Sequence, residues 1–205
     1  MCSKNFADKI ISFLEKYNVY TDKDKAKIIY GLQGIYMLIT KVIFLTIISL
    51  ILGITKELYI FLAFYGIIRL YASGVHLSSS LGCTIASTLI FFGATYLCIY
   101  TYIDIPYRVI LAGISICIFA LYSPADTIKK PIIRQTDRNK KKIISSVLCY
   151  IYLIFLLNIK GSYILNALTY SLVLEAFMIT PFAYKLFRQP YNNYVIYGNY
   201  KRKEE

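Results

Sequence analysis

Residues 69–83 read RLYASGVHLSSSLGC, and the way this stretch folds decides the architecture of the chain. It joins the apolar run Leu58–Leu70 to the run Cys83–Tyr102. Gly74, Gly82 and the serines at 78–80 weaken a helix and favour a turn, so the two runs read as separate helices. The same stretch holds the single histidine of the 205 residues, His76, with Cys83 seven positions later.

Working outward, four more apolar runs appear at Ile35–Ile54, Pro106–Tyr122, Ile143–Ile159 and Tyr163–Phe182. The chain is 58% hydrophobic, with a mean hydropathy of +0.56, well beyond a typical soluble domain. A bilayer core of ~30 Å needs roughly 20 helical residues. Four runs meet that length, while Leu58–Leu70 is short and must borrow from its flanks. The expected fold is an all-α integral membrane protein with about six transmembrane helices, four being the conservative count.

Charge supports the even number. With the N-terminus inside, residues 1–34 carry six Lys or Arg, residues 123–142 seven and residues 183–205 five, so eighteen of the 23 lie inside. Lys56, Arg108 and Lys160 lie outside, and Lys41 and Arg69 fall within spans. The positive-inside rule then places both termini in the cytoplasm. A net charge of +12 could suggest nucleic acid, but six apolar runs exclude a soluble nucleic-acid binder.

The first 34 residues lack the apolar core of a secretory signal. Instead Phe6, Ile10, Phe13, Leu14 and Tyr17 recur at helical spacing on one face, with Lys4, Asp8, Lys9, Glu15 and Lys16 largely off it. This predicts an amphipathic helix on an anionic inner leaflet, or one docked on a partner. The whole reads as a single polytopic domain over 1–205. It comprises a cytoplasmic amphipathic segment (1–34), spans within 35–182, cytoplasmic loops at 71–82 and 123–142, and a cytoplasmic tail (183–205). Outer connections are very short, so any chemistry lies within the membrane or at its inner face. Lys41 and Glu175 sit about 10 Å deep in the first and last spans, at ~1.5 Å per residue, and an ion pair between them is one expectation.

The five cysteines, Cys2, Cys83, Cys98, Cys117 and Cys149, contain no CxxC pair, which argues against a disulfide framework or a redox site. One histidine does not make a zinc set; no metal or cofactor is expected. A cysteine nucleophile does need a base, and one imidazole suffices. On a continuous helix, seven residues would separate His76 and Cys83 by ~10.5 Å along the axis, far beyond hydrogen-bond reach. A dyad therefore requires a broken helix. With Cys83 in the first turn of the next helix, the dipole and orphan amides would favour its thiolate and help hold an oxyanion.

RLYASGVHLSSSLGC resembles the signature of the accessory gene regulator B (AgrB) family: Arg, then Gly before His, then Cys seven residues on. YSPADTIKKPI, residues 122–132, resembles that family's second hallmark, a Pro-Ala loop running into basic residues and Pro-Ile. The resemblance covers nearly the whole chain. Ser73 stands where many relatives have Gly, and Leu77 where many have Ala.

The resemblance implies a membrane cysteine endopeptidase of Gram-positive quorum sensing, located in the cell membrane as a homodimer. Its substrate would be a propeptide of the AgrD type. Cys83 would be the nucleophile and His76 the general base. The peptide would be left as a thioester on Cys83, which a cysteine or serine of the peptide then attacks, closing a thiolactone or lactone ring. Arg69 could anchor a substrate carboxylate, steady the turn, or merely mark the membrane boundary. Asp126 could orient His76 or cap a helix. Lys129 and Lys130, with Lys140, Lys141 and Lys142, satisfy positive-inside in any case and would also attract an acidic propeptide tail or anionic lipid. The competing reading is a non-enzymatic peptide exporter or membrane scaffold.

Overall fold

The computed structural model describes residues 2–195 except Tyr17, Val19, Ser78, Lys129, Ile159 and Lys160. Among the described residues the named elements are all helices, α1 to α8. The chain divides into two compact units, Met1–Thr55 and Lys56–Glu205.

The first unit holds α1 (Cys2–Leu14) and α2 (Asp22–Leu52). Thr21 starts α2 by accepting the Asp24 amide on its hydroxyl, and Asp22 and Asp24 in the first turn complement the helix dipole. Gly53 ends the helix with a left-handed φ of +69°, where a glycine meets no Cβ penalty. α1 packs along α2 with Ala7 and Ile11 buried and Phe6 and Phe13 exposed. Glu15 and Lys25 pair at 2.7 Å. Phe6, on the predicted apolar face, meets Tyr36 with ring centroids 5.4 Å apart, while Tyr17 lies outside the described residues. α2 leaves a row of large apolar side chains exposed, among them Leu38, Ile43, Ile47 and Ile51.

The second unit holds most of α3 (Thr55–Ala72), then α4 (Ser80–Tyr100), α5 (Ile105–Tyr122), α6 (Gln135–Asn158), α7 (Ser162–Met178) and the short α8 (Pro181–Leu186). Each apolar run of the sequence forms one helix, except that the last breaks after Met178 and enters α8 at Pro181. Among the described residues, four helices are long and apolar enough to cross a membrane: Asp24–Leu52, Leu81–Tyr100, Ile105–Tyr122 and Gln135–Asn158. α3 carries Lys56, Glu57 and Arg69 in 18 residues, and α7 spans only 17.

α7 is the hub. It packs on α4, α5 and α6, and residues all round it are buried, including Asn166, Leu168, Leu172 and Glu175. A helix enclosed on every side can carry polar groups where a lipid-facing one cannot. Asn166 donates to the carbonyls of Cys98 and Thr101 at 2.8 Å each, closing the end of α4.

The alternation of helices brings three chain segments to one end of this unit: the α3–α4 connection, the α5–α6 connection and the chain after α7. One boundary differs from the sequence reading. The basic cluster expected in a loop over 123–142 is helical from Gln135, so Lys140, Lys141 and Lys142 ride on α6. Two prolines, Pro124 and Pro131, confine the irregular part to the residues before it, because a proline interrupts the helical hydrogen-bond pattern.

Candidate functional site

His76 and Cys83 meet at that end. α3 stops at Ala72 and α4 begins at Ser80, so the break demanded by the seven-residue spacing is present. The His76 Nδ1 and Cys83 Sγ atoms lie 3.8 Å apart. His76 is exposed and Cys83 half-buried, so an extended peptide has access to both.

Cys83 reaches this place through local structure. Ser79 caps α4 in extended conformation, its hydroxyl accepting the Gly82 amide at 3.3 Å. The Cys83 amide closes the first helical bond to the Ser79 carbonyl at 2.9 Å. Helix geometry leaves the Ser80 and Leu81 amides without intrahelical acceptors beside the sulfur's turn. Leu77 lies against Gly82, which ties the histidine's loop to the cysteine's helix.

His76 reaches its place through tertiary contacts. Ser73 leaves α3 with a left-handed φ of +63°, and Gly74 follows at +124°. The Gly74 amide donates to the Ala125 carbonyl at 3.0 Å, and the Ala125 amide returns a bond to the Ala72 carbonyl at 2.9 Å. The Val75 amide donates to the Met178 carbonyl, the last of α7, at 3.1 Å. These loop amides satisfy carbonyls that the ends of α3 and α7 would otherwise leave unpaired. The two motif segments, SGVH and SPAD, are therefore bonded to each other.

Arg69 completes the frame. Its Nη2 donates to the Val75 carbonyl at 2.7 Å and its Nη1 to Glu175 Oε2 at 2.8 Å. The planar guanidinium reaches two acceptors at once, which a point-charge ammonium does not reproduce. Gly74 makes room for it: a Cβ there would stand 2.8 Å from Arg69 Nη1 and 3.3 Å from the Met178 carbonyl oxygen. Of the roles considered for Arg69, steadying the turn is the one its contacts match. Glu175 is wholly buried and takes Arg69 as its partner. Only the fold brings Arg69, 106 positions away in the chain, to Glu175.

Asp126 is buried, and its carboxylate is taken up by backbone amides. Its Oδ1 accepts the Asn193 amide at 3.0 Å, and its Oδ2 accepts the Tyr194 amide at 2.8 Å and the Ile132 amide at 3.4 Å. Its carbonyl accepts the Tyr184 hydroxyl at 2.6 Å. Burial, reinforced by the Asp126 charge, pushes the Tyr184 phenol above its ordinary value, so the hydroxyl remains a donor. No described helix starts at Asp126, so it caps none. Lys130 is exposed beside this loop, and Lys129 lies outside the described residues. Among the described residues no group of three or more His, Cys, Asp or Glu could hold a metal ion.

Fold and site together define an all-helical membrane protein with a histidine–cysteine pair at one end of its helices. The accessory gene regulator B family model matches residues 7–179, and the chain belongs to that family. It is 30% identical over 169 residues to an AgrB-like protein of Clostridium acetobutylicum, covering 82% of this chain and 80% of that one. It is also 30% identical over 183 residues to accessory gene regulator protein B of Staphylococcus aureus strain MW2, covering 88% and 95%. An AgrB-like protein of Lactiplantibacillus plantarum shares 30% over 157 residues, covering 74% and 78%. No solved structure matches the chain.

Proposed function

We propose that this protein is a membrane-embedded cysteine endopeptidase that cleaves an AgrD-type propeptide and cyclises it through an acyl-enzyme thioester. The observation that carries the reading is the 3.8 Å approach of His76 Nδ1 to Cys83 Sγ in a chain of this family. That separation is long for a working pair, and such contacts tighten when substrate closes the site.

With its ring proton on Nε2, His76 takes the thiol proton on Nδ1. The Cys83 thiolate attacks the scissile carbonyl, and the Ser80 and Leu81 amides face the developing oxyanion. Collapse expels the amine of the downstream fragment, which receives the proton from His76. The signal half remains as a thioester on Sγ. A cysteine thiol or serine hydroxyl within the peptide then attacks that thioester and releases Cys83. Exchange of one thioester for another is nearly balanced, so thiolactone closure requires no nucleotide. Bound peptide covering the pair excludes water and suppresses competing hydrolysis.

In the same reading, α2 to α7 each cross the bilayer, with α7 shielded from lipid by its neighbours, and form one polytopic domain. The His76 end faces the cytoplasm with both termini, because eighteen of 23 Lys and Arg then lie inside. α1 runs back along the first half of α2 at the anionic inner leaflet, with the exposed Phe13 towards lipid. Lys129 and Lys130 draw in the acidic end of the propeptide. The working form is a homodimer in the cell membrane of a Gram-positive bacterium.

The test is reconstitution with propeptide in liposomes. Cys83→Ala and His76→Ala should each abolish cleavage while insertion and peptide binding persist. Full processing by the Cys83→Ala protein would end the reading.

A further inference from the structure

Beyond the family match at 7–179, the chain continues into α8 and a segment that returns to the site. Thr180 caps α8 by accepting the Ala183 amide at 3.2 Å, and Tyr184 on α8 reaches the Asp126 carbonyl. Tight turns at Arg188 and Asn192, with φ of +52° and +56°, then bring the Asn193 and Tyr194 amides onto the Asp126 carboxylate. Asn193 is fully buried, and its side chain donates to the Pro190 carbonyl at 2.9 Å. The Arg138 guanidinium lies 3.6 Å from the Tyr194 ring centroid, with its Nη1 3.8 Å from Asp126 Oδ2. One residue before Asp126 is Ala125, whose carbonyl and amide hold Gly74 and Ala72.

We propose that residues 180–195 form a strap that positions the His76 loop, with Asp126 as the positioning residue through which it acts. A buried carboxylate bonded to three backbone amides is a rigid anchor, because loosening it strands several polar groups at once. The anchor sits one peptide unit from Ala125, the rail that holds Gly74 and Ala72 and so the start of the His76 loop. Removing it frees the rail to slide, and the imidazole moves relative to Sγ without any contact to His76 itself being cut. This role rests on the peptidase reading above.

The experiment uses the full-length protein in liposomes, with hydrogen exchange of the Gly74 and Val75 amides read by mass spectrometry beside cleavage kinetics. Asp126→Ala and Tyr194→Pro, which deletes the amide donor, should speed exchange at those amides roughly tenfold. They should also lower kcat roughly tenfold with KM unchanged. Tyr194→Phe keeps both the amide and the ring, and should restore wild-type values of both. Tyr184→Phe, which removes one hydroxyl, is the milder arm should Asp126→Ala fail to fold, and should shift both readouts in the same direction. Wild-type exchange in Tyr194→Pro and Tyr184→Phe, with Cys83→Ala inactive, overturns the strap alone. So does faster exchange with undiminished kcat, or a loss carried by KM. Cleavage surviving Cys83→Ala overturns the peptidase reading and the strap's catalytic role with it.

Discussion

His76 and Cys83 arrive at the same point by different means. Cys83 stands in the first turn of α4, held by the Ser79 cap and a helical bond between residues four apart. His76 stands on a loop that takes its bonds from Ala125 and Met178 and, through Arg69, from Glu175. Cys83 is placed by its neighbours in sequence, His76 by segments 51 to 106 positions away. Local placement is robust but coarse. Long-range placement is exact only while every partner remains, so distant damage should fall on His76.

Three substitutions probe that asymmetry. Glu175→Gln should do the most harm, since it leaves the Arg69 charge uncompensated in a buried site; breaking such a pair costs about 3–5 kcal/mol. Thermal unfolding in detergent and propeptide cleavage should both fall sharply. If cleavage by this variant matches that of Ser79→Ala, the base is not held by the ion pair.

Gly74→Ala comes next. The residue must keep a φ of +124° while its Cβ meets Arg69 Nη1 at 2.8 Å, a strain of about 1–3 kcal/mol. Stability should drop moderately, whereas kcat should drop by up to about a hundredfold, the scale expected of a misplaced catalytic group. A stable protein of wild-type kcat would show that the rail tolerates a side chain.

Ser79→Ala should do the least. Losing the cap costs about 1 kcal/mol, and the Cys83 helical bond survives, so cleavage should fall only a few-fold. A loss as large as that of Gly74→Ala would mean that the cysteine's turn is as delicately held as the histidine's loop.

Much of the architecture was legible because bilayer-length apolar runs and glycine–serine breaks act locally. Each run from Ile35 to Phe182 is helical, the last with a break after Met178, and the Gly74–Gly82 stretch breaks where its composition favours a turn. Less was legible at the boundaries. The lysines of 140–142 read as loop by charge, yet α6 extends through them, since lysine is itself a good helix former. The partners of Asp126 were not legible, because Asn193 and Tyr194 are separated from it by 67 and 68 positions. The partner of Arg69 was not legible either, because Glu175 lies 106 positions away.

The sequence by itself determined the membrane helices, the family, and the condition that His76 and Cys83 require a broken helix to meet. Those features follow from hydropathy, spacing and residue type, which act over a few turns of chain. Only the tertiary structure decided what holds the break open: SGVH bonded to SPAD, Arg69 joined to Glu175, and Asp126 fastened to the C-terminal strap. The physical reason is that the Arg69–Glu175 pair spans 106 positions, while the other links take backbone amides and carbonyls, of which every residue owns one or both. Their pairing leaves no mark in residue type until the fold brings the segments together.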